Sequence, residues 1–160
     1  MMYQDYKVGE HKTNQGLRLA NYLIDGIVYL ICTFIIGLIL GVVAVMMNFQ
    51  LPESNLIYNI IAAIVLVFYY FLIESITKGR SIGKLVTGTK VVMIDGSTPT
   101  TKDYFMRSLC RIIPFEVLSF LGENGWHDKI SKTTVVNKKA FELDLSQADN
   151  IESIGKTEFE

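Results

Sequence analysis

Two stretches of the chain are apolar at nearly every position, with no polar face of the kind a surface helix shows. Between Leu19 and Met47 the only charged residue is Asp25, and from Leu56 to Ile73 there is none. A bilayer core about 30 Å thick takes roughly 20 helical residues to cross, so both stretches predict membrane spans. A buried helix of a soluble protein has a shorter apolar run and keeps a polar stripe. The first run is too long, and too closely followed by a second, for a cleaved secretory signal, so it is expected to stay in the mature protein.

Beyond the second run the pattern changes. Lys84 to Ile94 is rich in Val and Thr and ends in Asp95-Gly96 and Pro99, which predicts a strand and a turn. Thr100 has the character of an N-cap, with Asp103 in the first turn of a third helix over about 101–121. Arg107 and Arg111 lie in its first half, and Pro114 interrupts it. Only Ile112 to Leu121 is strongly apolar, too short to cross, so an interfacial or re-entrant helix is favoured over a third span. Thr133 to Asn137 reads as a short strand able to pair with the Lys84–Ile94 segment. The expected fold is an all-α membrane protein: an antiparallel transmembrane hairpin (helices about 17–47 and 56–77), the third helix and a short cytoplasmic β element. Residues 1–16 form a cytoplasmic lead, 17–137 the membrane domain, and 138–160 an acidic tail expected to be disordered.

Charge sets the orientation. The loop Asn48–Asn55 carries Glu53 and no Lys or Arg, whereas Lys7, Lys12 and Arg18 precede the first span and Lys78, Arg80, Lys84 and Lys90 follow the second. Basic residues are retained in the cytoplasm, so the loop is expected outside and both termini inside. The net charge of −1 conceals a division: residues 1–139 carry fourteen Lys/Arg against ten Asp/Glu, and the remainder one against six.

On the first helix Arg18, Asn21 and Asp25 follow the spacing i, i+3, i+7 and share a face. Gly26, Thr33, Gly37, Gly41 and Ala44 fall within an arc of about 80° beside it. Gly37 and Gly41 form a small-xxx-small pair that admits close approach of another helix. In the hairpin Asp25 and Glu74 come within about 6 Å of the same depth. Arg18, Arg107 and Arg111 are then the cations able to meet them, and ionisable groups at membrane depth pair or mark a function. Whether Asp25 is a proton carrier or a fixed member of an ion-pair cluster stays open at this point.

Other motifs carry less. Gly79-Arg80-Ser81-Ile82-Gly83-Lys84 lacks the spacing of a phosphate-binding loop. It is expected to be a tight basic turn, with Arg80 and Lys84 near lipid phosphates. His127-Asp128 has no companion ligands for a metal and predicts a local contact in a turn. Cys32 and Cys110 match no metal or redox spacing. No G-x-S-x-G motif occurs, and neither catalysis, a cofactor, a metal nor nucleic-acid binding is expected.

The order of these landmarks, from about Gly16 to Asn137, resembles the RDD family of small bacterial membrane proteins. Arg18 matches the arginine at the start of the family's first helix and Asp25 the aspartate within it. Asp128, in Trp126-His127-Asp128-Lys129, is placed as the second aspartate. The glycine-lysine turn Gly79–Lys84, the Val91-Val92…Asp95-Gly96 strand and turn, and the Arg107/Arg111 pair also fit. Ser81-Ile82 departs from the Thr-Pro usual before the turn's second glycine. The resemblance implies a membrane fold and suspected transport, with cation–proton exchange proposed for some members.

Two functional expectations follow. The first is transport of a small ligand, or cation–proton exchange, by an oligomer, because two spans and a partial third helix cannot enclose a path alone. The second is a non-catalytic scaffold or accessory subunit in which the charge cluster locks the hairpin. The expected partners are the lipid bilayer and a second copy or another membrane protein.

Overall fold

The computed structural model describes residues 8–50, 52–113 and 125–157, with side chains as far as residue 147. The first apolar run forms α1, Gln15–Met46, capped by Asn14, whose side-chain oxygen accepts from the Leu17 amide at 2.9 Å. The second forms α2, Asn55–Ile76. Only 6% of α1's most apolar stretch and 11% of α2's is buried within the chain, the opposite of a core helix in a soluble protein. Both are long and apolar enough to cross a membrane. Tyr29 Oη donates to the Ala62 carbonyl at 3.0 Å and ties the two helices together.

Their lengths differ in a useful way. At 1.5 Å per residue α2 is about 33 Å long, close to the bilayer core, and α1 about 48 Å. The Tyr29–Ala62 and Asp25–Tyr69 contacts set the start of α1, with Arg18, Asn21 and Asp25, beside the end of α2.

At that end the chain leaves α2 through a tight turn. Lys78 takes the left-handed conformation (φ 54°), and the Gly79 amide donates back to the Glu74 carbonyl at 2.7 Å, a Schellman closure. The segment expected as a strand from Lys84 begins instead as a helix, α3, Ile82–Thr87. Ser81 caps its start and Gly88 (φ 69°) ends it, so the strand β1 is confined to Thr89–Met93. The Asp95-Gly96 turn follows as expected: Asp95 Oδ1 accepts from the Ser97 amide at 2.9 Å, and Gly96 has φ 84°.

The third helix, α4, spans Thr101–Cys110. Asp103 accepts from both the amide and the hydroxyl of Thr100, at 2.8 and 2.7 Å. Phe105 meets Phe71 of α2 edge to face, 5.6 Å between centroids, so α4 lies against the side of the span. After Cys110 the chain turns through Ile113; the rest of the expected 101–121 helix, Pro114 included, lies outside the described residues.

A five-residue helix α5, Trp126–Ile130, leads into β2, Thr133–Asn137, which pairs antiparallel with β1 (Val91 opposite Val135, Thr89 opposite Asn137). The segment before α1 lies along the free edge of β2, with the Thr13 amide donating to the Val135 carbonyl at 2.9 Å and the Asn137 amide to the His11 carbonyl at 3.0 Å.

The tail departs from expectation. Directly after β2 the chain enters α6, Lys138–Thr157, where the acidic composition predicted disorder. Phe141 accounts for the docking of its first turns, because it completes a buried core with Val8, Val92 and Val136. Glu142 faces Lys90 and Lys138, each at 3.7 Å, and His11 meets Asp144 at 3.0 Å.

Candidate functional site: a buried ion-pair cluster

The polar stripe on α1 faces the turn that follows α2. Asn21 is buried between two threonines: its Nδ2 donates to Thr89 Oγ1 at 3.0 Å, and Thr87 Oγ1 donates to its Oδ1. One turn on, Asp25 is 2% exposed and grips the start of α3. Its carboxylate accepts from the Gly83 amide at 2.7 Å, Ser81 Oγ at 2.5 Å and Tyr69 Oη at 3.2 Å.

That grip requires backbone contact. A Cβ on Gly83 would run into the carbonyl of Asn21, so only glycine lets α3 sit directly on α1. The same logic holds at Gly79, where φ is 94° and a Cβ would come within 2.8 Å of the Val91 carbonyl.

Glu74, at the end of α2, is fully buried and collects three cations: Lys84 Nζ at 2.8 Å, Arg107 Nε at 3.3 Å and an Arg111 Nη at 3.7 Å. Arg111 also lies over the Tyr70 ring, 3.8 Å from its centroid. Arg107, itself fully buried, continues to Asp128 at 2.5 Å and donates to Thr133 Oγ1. The other oxygen of Asp128 accepts from Arg18 at 2.8 Å, and His127 Nε2 stands 3.3 Å from its Oδ1. Ser81 joins the two halves: it donates to Asp25 and receives a hydrogen bond from Lys84 Nζ at 3.2 Å.

Burial alone would raise the Asp128 carboxyl, but His127, Arg107 and Arg18 outweigh it and hold the group well below the usual carboxylate range. For Lys84 burial prevails and lowers the ammonium, with Glu74 opposing the shift.

Arg18, Asn21, Asp25, Glu74, Arg107, Arg111 and Asp128 thus come together, with two changes from the sequence expectation. Arg18 pairs with Asp128, while Asp25 is held by neutral donors. Lys84, expected near lipid phosphates, is instead 3% exposed and paired with Glu74, since α3 turns it inward. Sequence reasoning did not place Lys84 or Ser81 in the cluster. The signal available was Ser81 as an N-cap three residues before the lysine, which fixes a helical turn and the direction of its side chains.

Gly37 and Gly41 play no part here. No heavy atom lies within 4 Å of a Cβ built at either, so the pair makes no close helix contact among the described residues. The described His, Cys, Asp and Glu form no group able to hold a metal. A small recess of about 50 Å³ opens onto the cluster between the start of α1, α3 and α5.

An uncharacterized protein of Bacillus subtilis (strain 168), YxaI, is 27% identical over 143 residues, covering 76% of this chain and 95% of the relative. No solved structure matches. Residues 14–132, which run from the cap of α1 to the turn before β2 and contain every residue of the cluster, match the RDD family, and the chain belongs to that family.

Proposed function

We propose that this protein is a non-catalytic scaffold or accessory subunit of the bacterial cytoplasmic membrane, with both termini cytoplasmic, and that the buried cluster is a latch. One observation carries the reading: each buried carboxylate is held by donors from at least two other elements. Asp25 of α1 takes donors from α2 and from the α2–α3 turn and helix, through Tyr69, Ser81 and Gly83. Glu74 of α2 takes α3 and α4 through Lys84 and Arg107, and Asp128 of α5 takes α1 and α4 through Arg18 and Arg107. A proton carrier needs an acid whose partners can release it; a joint needs acids that are gripped from several sides.

The latch fastens the two-helix hairpin to the sheet and α6, and so presents a folded element at the membrane surface to a partner, another membrane protein or a second copy. The test is Asp25→Asn in native membranes and in proteoliposomes. The variant should lower folded yield or recovery of the complex under mild detergent, with no ion or proton flux from wild type or variant. Wild-type flux, or a chain that always purifies as a monomer without other proteins, refutes it.

A second reading, cation–proton exchange by an oligomer, is favoured by Asp25 alone, whose carboxylate is held by neutral donors and not by a cation. It predicts flux in proteoliposomes that Asp25→Asn abolishes; equal flux from the variant removes Asp25 from the mechanism.

A further inference from the structure

We propose that the recess at the latch binds a phosphate-class anion: the phosphodiester of an anionic lipid headgroup or free inorganic phosphate. The wall carries the cationic side chains of Arg18, Lys84 and Arg111 together with His127, and two acids, Asp25 and Asp128. The acids have little accepting capacity left. Both oxygens of Asp25 are taken by Ser81, Gly83 and Tyr69, and both of Asp128 by Arg107 and Arg18.

Donors remain. Arg18 uses one Nη toward Asp128 and the other toward Thr134, at 2.8 and 3.4 Å. Each of these nitrogens keeps a second N–H, on a side chain 8% exposed. Glu74 and Ser81 take two of the Lys84 ammonium hydrogens and leave one. A wall with engaged acceptors and spare charged donors selects an anion, and a tetrahedral oxyanion accepts from several such donors at once. A cation would face Arg18, Lys84 and Arg111 with no free carboxylate oxygen to replace its water. The recess stands beside the end of α2, where a span of bilayer length meets the headgroup layer, so lipid and soluble phosphate both reach it.

The test uses the full chain in maltoside micelles, which contain no phosphate. Inorganic phosphate is titrated by calorimetry against chloride at matched ionic strength. In parallel, native mass spectrometry compares retention of phosphatidylglycerol with that of diacylglycerol bearing the same chains. The expected result is saturable one-site phosphate binding, selective retention of one phosphatidylglycerol, or both. Retention without phosphate saturation assigns the lipid as the source, and the reverse assigns the soluble ion. His127→Gln combined with Arg111→Gln should weaken the interaction at least tenfold. Because Arg111 also contacts Glu74, competition by sulfate on the wild type supplies a readout independent of any variant. Folded wild type that binds neither probe, or binding that sulfate does not displace, overturns the proposal.

Discussion

Asp128→Asn keeps the shape of a side chain that is fully buried and changes only its charge, which makes it the sharpest probe of the latch. Asp128 stands between Arg18 at 2.8 Å and Arg107 at 2.5 Å, with neither side chain more than 8% exposed. Removing the negative charge leaves Arg18 without a paired acid among the described residues and Arg107 with Glu74 alone. Breaking a buried pair from one side costs about 3–5 kcal/mol, against about 0–1 kcal/mol for an exposed pair. Stability can be followed through Trp126, the only tryptophan in the chain and two residues from the substitution. The assay is reversible denaturation in micelles or bicelles, read by fluorescence and closed as a cycle with Arg18→Gln. The double variant should recover at least about 1 kcal/mol relative to the sum of the single losses, because the two residues share one interaction. A loss below about 1 kcal/mol for Asp128→Asn would mean that water screens the pair, and the latch argument would fail.

Three further outcomes are expected. Gly83→Ala drives a methyl into the Asn21 backbone, so the yield of monodisperse protein should fall far more than for Gly26→Ala, whose Cβ would meet nothing within 4 Å. Phe141→Ala empties the core shared with Val8, Val92 and Val136 at a cost of about 3–5 kcal/mol, and limited proteolysis should then cut within α6 while leaving the hairpin intact. Because Asp128 is held below its ordinary range, its contribution is complete above about pH 4 and is lost as pH falls through the folded pKa. An acid titration of Trp126 fluorescence should show that transition in the wild type and lose it in Asp128→Asn.

The parts legible in the sequence were those set by periodicity and by scarcity of charge. The uncharged runs located α1 and α2, and the i, i+3, i+7 spacing put Arg18, Asn21 and Asp25 on one face. Equal depth brought Asp25 and Glu74 together, and richness in Val and Thr marked the Lys84–Ile94 segment, whose Thr89–Met93 part pairs with Thr133–Asn137. What stayed hidden was decided by close approach. Charge complementarity permits Arg18 to pair with Asp25, Glu74 or Asp128 alike, and only the backbone contact at Gly83 hands Asp25 to Ser81 and the Gly83 amide. Lysines are usually exposed, whereas the short helix between Ser81 and Gly88 aims Lys84 at Glu74. Disorder is inferred from average composition, and a single well-placed ring, Phe141, does not move an average.

The separation of Arg18 from Asp128 along the chain bears on how the protein is made. The arginine leaves the ribosome 110 residues before the acid that neutralises it. At about 5–20 residues per second that is a wait on the order of 5–20 s, during which both hydrophobic helices are already synthesised. A product truncated ahead of residue 128 would therefore leave the Arg18 guanidinium without the acid that neutralises it.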